Sequence, residues 1–142
     1  METRENIDNI QIQINPAVSD VEQICDVLEK GGMRKRDPAL VRKSLDASDV
    51  VAVAVYNDTI VGVGRLVGDG VFYATIWDVA VLPEYRSRGV GSSIVRALLA
   101  EANMQGLYMV CLAVSFEKSQ FYETLGFEYF EGTHVLKHVF TK

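Results

Sequence analysis

A chain of 142 residues with 49% hydrophobic and 23% charged residues, 11 Gly and 3 Pro can bury one substantial core but is short for two domains, so residues 1–142 read as a single domain. Nineteen acidic against 14 basic residues give a net charge of −5, which lacks the broad basic footprint of a nucleic-acid partner. No apolar run approaches the roughly 20 residues of a membrane span, and the polar start at 1–8 lacks the apolar stretch of a signal peptide, so the expectation is a cytoplasmic protein with no membrane partner. Cys25 and Cys111 are too few for a disulfide framework; both are expected reduced, Cys111 as a buried thiol.

Ile10, Ile12 and Ile14 alternate with Gln11, Gln13 and Asn15, a period of two that predicts a half-buried first strand ending at Pro16. Ser19 is the expected cap of a helix carrying Val21, Ile24, Val27 and Leu28 on one face, with Gly31-Gly32 ending it. Asp37-Pro38 supplies a cap and a first-turn proline, and Leu40, Val41 and Leu45 give a second short helix. Two β-rich runs, 50–56 and 59–66, flank Asn57-Asp58, a two-residue hairpin signal. A turn at Gly68-Asp69-Gly70 then leads into the longest strand-like run, 71–82. After Pro83 the period becomes helical, with Ile94, Val95, Leu98, Leu99 and Ala102 on one face and Gly106 as terminator. The apolar run 107–114 reads as a strand covered on both faces, and the strand–helix–strand order implies a right-handed crossover and a parallel pair. A short helix at 119–125, Gly126 past its end, and strands at 127–131 and 134–141 complete the chain. The expected fold class is α+β in three layers (α/β/α) around a mixed, mostly antiparallel sheet: strand, two helices, three strands, helix, strand, helix, two strands.

The segment that carries chemistry is 76–94. A β-rich run, a turn with Arg86 and Arg88, and Gly89 and Gly91 at the mouth of an amphipathic helix make an anion site. Bare N–H groups of the first turn point outward, the dipole adds positive potential, and glycine admits a phosphate close to the backbone. A Walker A loop needs a Gly-Lys-Ser/Thr tripeptide, which the chain lacks. The dinucleotide fingerprint needs a third small residue and an acid about 20 residues on; here Gly91 is followed by Ser92-Ser93-Ile94 and 108–114 contain no acid. What remains, Arg86-x-x-Gly89-x-Gly91, resembles the signature of the GCN5-related N-acetyltransferases, the acetyl-coenzyme A-dependent GNAT superfamily. Asp78-Val79-Ala80-Val81 precedes it at the family's spacing, and Phe121-Tyr122-x-x-x-Gly126-Phe127 resembles the family's last motif. The element order is also the family's. Ala74-Thr75-Ile76-Trp77-Asp78-Val79 is similar to the plant and cyanobacterial arylalkylamine (serotonin-type) acetyltransferases.

The resemblance implies an enzyme that takes acetyl-CoA as co-substrate, uses no metal, and acetylates a small-molecule primary amine by direct attack in a ternary complex. Arg86, Ser87, Arg88, Gly89, Val90, Gly91 and Ser92 would surround the pyrophosphate, with the amides of 88–92 donating to it. Val79, Ala80 and Val81 would pair their backbone with the pantetheine arm, between splayed fourth and fifth strands. An amide near Ala80 would meet the thioester oxygen and stabilise the oxyanion of the tetrahedral intermediate. Tyr122, a phenol with an ordinary pKa of about 10, would give the departing thiolate its proton; without the motif, Phe121, Tyr122 and Leu125 read as the apolar face of a short helix. Ser115 stands where relatives contact the cofactor, and equally reads as a turn hydroxyl.

Asp78 is the only acid on the central strand, a candidate base for the ammonium proton beside a structural reading as a hydrogen-bonded carboxylate. Some relatives carry a glutamate where this chain has Thr75, and a water chain is the other route. Trp77 and Tyr73 read either as an aromatic pocket lining or as core. His134 and His138, four apart in a predicted strand, stand about 13 Å from one another, too far to share a metal. Neither cysteine has a histidine partner for nucleophilic chemistry. Arg34-Lys35-Arg36, between the first two helices where relatives shape the acceptor pocket, has an open role. The alternative reading is a CoA-binding sensor or regulatory module with the same fold and little turnover, with a nucleotide-binding protein as a distant third; a homodimer stays open.

Overall fold

The computed structural model describes residues 9–141, so the polar start at 1–8 lies outside the described residues. Two compact units follow one another, one ending at Leu112 and the next beginning at Ala113. The first holds β1 (Gln11–Ile14), α1 (Val21–Lys30), α2 (Pro38–Ala47), β2 (Val50–Tyr56), β3 (Thr59–Gly68), β4 (Tyr73–Val81), a 3-10 turn at Pro83–Tyr85, α3 (Val90–Met104) and β5 (Met109–Cys111). Spatial order equals chain order, β1-β2-β3-β4-β5. All neighbours are antiparallel except β4 and β5, the expected parallel pair.

Local chemistry explains most boundaries. The cap of α1 is Asp20, not Ser19: its backbone is extended and its carboxylate accepts from the Glu22 amide at 3.1 Å. Asp37 caps α2 as expected, accepting from the Ala39 amide at 2.8 Å with Pro38 at the first helical position. Leu40 is 62% exposed, so the buried stripe of α2 is Val41 and Leu45, four apart. Asn57 and Asp58 both have positive φ, the left-handed pair that a two-residue hairpin turn requires. Asp69 Oδ1 accepts from the amides of Val71, Phe72 and Tyr73, which keeps those N–H groups in the turn and delays β4 to Tyr73. Those bonds, the one from Val71 foremost, also hold its carboxyl below the ordinary range.

The core lies on both faces of the sheet. Gly62 and Gly64 of β3 lie under α3, where an added Cβ would stand 2.8 Å from Ile94 in each case. Val61 and Val63, of opposite parity, point to the face that carries α1. Ile24, Val27, Leu66, Ile94 and Leu98 are fully buried between these layers.

The predicted fifth strand over 107–114 contracts to three half-buried residues, Met109–Cys111. Its ladder with β4 covers only Tyr73–Met109, Ala74–Val110 and Thr75–Cys111. Lying at the sheet edge, it leaves Cys111 half-buried rather than buried; both cysteines are free thiols.

The second unit contains α4 (Phe116–Glu123), which starts earlier than the predicted 119, and Gly126 follows with φ +96°. The two strands expected at 127–131 and 134–141 are absent among the described residues. Tyr129, Phe130, Val135, Leu136, Val139 and Phe140 are all exposed. In strand parity Val135 and Val139 would fall on one side and Leu136 and Phe140 on the other, so no single face gathers the apolar groups, and a two-stranded ribbon alone is marginal in water. His134 and His138 therefore do not sit in a strand; the His138 ring instead contacts Phe140, with centroids 5.1 Å apart. No helix among the described residues is long and apolar enough to cross a membrane.

Candidate functional site

Between the pairs Val63–Ala80 and Arg65–Trp77, two steps on β3 answer three on β4, so β4 carries one extra residue. Asp78 has φ +56°, the left-handed conformation that lets the strand accommodate it. A non-glycine residue held there costs on the order of 1 kcal/mol, least for Asp and Asn. The pairing of β4 with β5 ends at Thr75, before the bulge. From Ile76 to Val81 the edge of β4 remote from β3 has no strand beside it among the described residues.

The ladder decides which amides face that gap. Leu82 donates to the Val61 carbonyl at 2.9 Å, and Ala80 is paired with Val63, so the Ala80 amide faces β3. Val81, and by the same alternation Val79, point their N–H groups to the open edge. The amide expected near Ala80 to meet a ligand therefore falls to its neighbours.

After the 3-10 turn, Ser87 and Gly89 both take positive φ, and α3 begins at Val90 with no side chain capping it. The first amides of α3 are bare, as at any helix start lacking a cap. A Cβ placed on Gly89 would meet nothing within 4 Å, so open space lies directly above this backbone. Arg88 is exposed, whereas the Arg86 side chain turns back, donating to the Lys30 carbonyl at the end of α1 at 3.5 Å. An extended edge with outward amides, followed by a bare helix start over open space, fits the pantetheine arm and pyrophosphate of a coenzyme A.

Asp78 is the best-connected acid. Arg36, in the α1–α2 turn, forks onto it with Nη1 to Oδ2 at 2.8 Å and Nη2 to Oδ1 at 2.9 Å. Arg65 of β3 adds Nε and Nη2, each 3.0 Å from Oδ2, and its Nη1 reaches Ser44 O and Ser48 Oγ of α2's last turn and cap. Burial pushes the Asp78 carboxyl up, but the hydrogen bonds and charges of Arg36 and Arg65 outweigh it and hold the carboxyl below the ordinary range. A carboxylate so committed is a weak proton acceptor at neutral pH, which favours the structural over the base reading of Asp78. Asp78 stands out in the sequence without its partners, and the only trace of Arg65 there is a lone arginine in the apolar run of β3.

In the second unit, Ser115 precedes α4 and is exposed, without a side-chain cap bond. Tyr122 is buried, with its ring edge-on to Phe121 at 4.9 Å and Phe127 at 5.7 Å. Burial pushes its phenol above the ordinary value. Among the described residues no hydrogen bond holds its hydroxyl.

Residues 47–129 match the family pattern of the acetyltransferase (GNAT) domain. The chain belongs to the GCN5-related N-acetyltransferase family. This GNAT chain is 32% identical over 109 residues to GCN5-related N-acetyltransferase 1, chloroplastic, of Arabidopsis thaliana, covering 75% of this chain and 55% of that protein. It is 30% identical over 112 residues to serotonin N-acetyltransferase 2, chloroplastic, of Oryza sativa, covering 76% and 56%. The chain thus spans little more than half the length of these curated relatives. Among solved structures, a GNAT-family acetyltransferase from Streptococcus pneumoniae is 27% identical with a TM-score of 0.76, covering 94% of this chain and 98% of the other.

For this GNAT chain the aromatic residues of β4 are no part of the core. Tyr73 and Trp77 are each 52% exposed on one face of β4, with Thr75 between them accepting from Trp77 Nε1 at 2.7 Å. Tyr108 packs edge-on against Tyr73 at 6.2 Å. The opposite face of the same strand holds buried Ala74 and Ile76.

Asp78→Asn keeps the shape but leaves two guanidinium groups without their counter-charge. Removing one partner of a buried pair costs 3–5 kcal/mol; because Arg36 is part exposed, we expect about 2 kcal/mol, or roughly 6–10 °C in Tm. The folded carboxyl pKa is depressed, so its contribution is fully present above the unfolded value of about 4 and disappears as pH falls through the folded value. Melting curves should show a constant gap between wild type and variant above about pH 5 that narrows in acid. A gap of zero at neutral pH would show the pairs to be energetically idle.

Proposed function

We propose that the chain transfers an acetyl group from acetyl-CoA to a small primary amine by direct attack in a ternary complex, and that residues 1–142 act as one acetyltransferase domain. The observation that supports this best is the open edge of β4, which runs from the Asp78 bulge toward the bare start of α3. The family match over 47–129 crosses from the first unit into the second, which supports treating the two as one domain.

In this reading, Val79 and Val81 pair with the pantetheine arm as a neighbouring strand would. The amides of Arg88 to Ser92 and the Arg88 side chain hold the pyrophosphate. The bound co-substrate supplies an activated acetyl group as a thioester. The Val79 amide donates to the thioester oxygen as charge grows on it, a contribution of about 2.7–4 kcal/mol per donor in other acyl-transfer sites. The acceptor ammonium loses its proton to water, Asp78 being held by its arginines. As the nitrogen–carbon bond forms and the carbon–sulfur bond breaks, Tyr122 gives its proton to the departing sulfur, and the second proton of the attacking nitrogen passes through water to restore the phenol. Ser115 lines the cofactor's path or serves the turn.

The exposed Tyr73–Thr75–Trp77 face favours an arylalkylamine as acceptor, and the relative named for serotonin points the same way. Free-thiol release across arylalkylamines, polyamines, aminoglycosides, amino acids and peptide N-termini is the test, with arylalkylamines expected to be fastest. The commitment of Asp78 to two arginines favours one other reading, a coenzyme A sensor. It predicts tight coenzyme binding and no thiol release above background with any amine in the panel.

A further inference from the structure

The α1–α2 turn touches β4 at the point where the proposed chemistry is organised. At Gly31, an added Cβ would stand 2.8 Å from the Ala80 Cβ, so the turn's backbone lies directly on the strand. Arg36 closes the far end of the turn on Asp78 with its two-pronged bond, 2.8 and 2.9 Å. Lys30, paired with Asp26 at 3.1 Å, offers its carbonyl to Arg86 of the phosphate loop. The turn is therefore fastened at the bulge, at Ala80 and at the approach to α3.

Two arginines on one carboxylate exceed what charge neutralisation requires. Arg65 is the less exposed, its side chain 17% exposed against 39% for Arg36, and it is anchored to α2 through Ser44 and Ser48. Arg65 alone neutralises Asp78 and braces the bulge from within the sheet. Arg36 leaves the trio with a surplus positive charge and ties down a long side chain on a turn. What that second bond adds is position: it fixes the turn relative to the residue whose left-handed backbone aims Val79.

We infer that Arg36 is a positioning residue, which by clasping Asp78 locks the α1–α2 turn onto the bulge of β4 and so holds the outward amides that follow the bulge in the geometry the acyl transfer needs. The inference rests on the acyl-transfer reading above. It gives the basic run Arg34-Lys35-Arg36 a division of labour: Arg36 turns inward, while Arg34 and Lys35 have no bond among the described residues.

The experiment compares wild type, Arg36→Gln, Arg36→Lys, Asp78→Asn and the Arg36→Gln/Asp78→Asn double variant, each checked by its melting curve. Misplacing a reacting group by about 1 Å costs on the order of 100-fold, so Arg36→Gln should lower acceptor kcat/KM by roughly 10- to 100-fold. The acetyl-CoA Kd should change less than about two-fold, since the phosphate loop keeps its own amides. Arg36→Lys keeps the charge but not the fork and should fall between. The double variant should be no worse than Asp78→Asn alone, because both changes break one link. Loss of Tm with kcat/KM unchanged per folded molecule would overturn the inference, as would equal loss of acetyl-CoA affinity.

A readout independent of turnover separates this inference from the enzyme reading. The Met33 amide donates to Leu28 O at 3.0 Å within the turn. In Arg36→Gln its hydrogen exchange should accelerate, with the amides of the α1 core unchanged. Unchanged exchange at Met33 would overturn the clasp even in an active enzyme; accelerated exchange in a chain that binds coenzyme A but acetylates nothing would keep the clasp and sink the activity.

Discussion

Tyr122→Phe is expected to lower turnover by about 100- to 10,000-fold, the usual contribution of a general acid, with acetyl-CoA affinity and Tm almost unchanged. The change removes one oxygen. The edge-on contacts to Phe121 and Phe127 belong to the ring and survive in phenylalanine. No hydrogen bond to the hydroxyl is lost among the described residues, so little stability goes with it. Burial pushes the phenol above its ordinary value, so the proton is in place throughout the neutral range. The wild type should therefore lose activity only above about pH 10, as the phenol ionises, and the variant should lack that descending limb. The same raised pKa means that its contribution to stability is present below about pH 10 and fades as pH rises through the folded value. Thiol release measured at saturating acceptor decides the matter. Equal turnover in the two proteins would return Tyr122 to simple ring packing.

What was legible beforehand follows the range of the interactions involved. The α2 cap at Asp37-Pro38, the Asn57-Asp58 hairpin and the buried stripe Ile24, Val27, Leu28 depend on neighbours within a turn or two, and the structure has them where the pattern places them. The cap of α1 moved by one residue because Ser19 and Asp20 are both competent and only backbone geometry chooses between them. The strands at 127–131 and 134–141 had β-rich letters but no one-sided alternation, and strand propensity without a partner does not make a ladder. Likewise 107–114 is apolar throughout, yet only three of its residues pair with β4, and apolar letters alone do not set the length of a ladder. The bulge itself was invisible, since nothing in Trp77-Asp78-Val79 announces a left-handed aspartate. The turn into α3 was legible because glycine spacing is local, and the structure has Gly89 at positive φ before a helix start with no side-chain cap. The roles around Asp78 were not, because Arg36 and Arg65 lie 42 and 13 residues away. A long-range ion pair leaves only a charged residue in an apolar run as its trace.

Acetyl-CoA is expected to raise Tm by about 8–15 °C at 100 times its Kd, because a ligand bound only by the folded state adds about 2.7 kcal/mol there. Gly89→Glu should abolish that shift. Gly89 has φ +81° and a Cβ there meets nothing within 4 Å, so the new side chain enters open space rather than the protein core. The substitution places a carboxylate over the bare first turn of α3, where a pyrophosphate would otherwise accept the same amides. Strain from a left-handed glutamate, about 1–2 kcal/mol, lowers the variant's own Tm, so the quantity to compare is the ligand-induced shift within each protein. Gly89→Asn separates the two effects: asparagine tolerates left-handed backbone and carries no charge, so it should keep most of the shift that Gly89→Glu loses. Desulfo-coenzyme A should stabilise the wild type nearly as well as acetyl-CoA, since the proposed site holds the arm and the phosphates rather than the sulfur. A shift produced by ATP or NAD but not by any coenzyme A would overturn the assignment of the β4 edge and make the α3 start a nucleotide site.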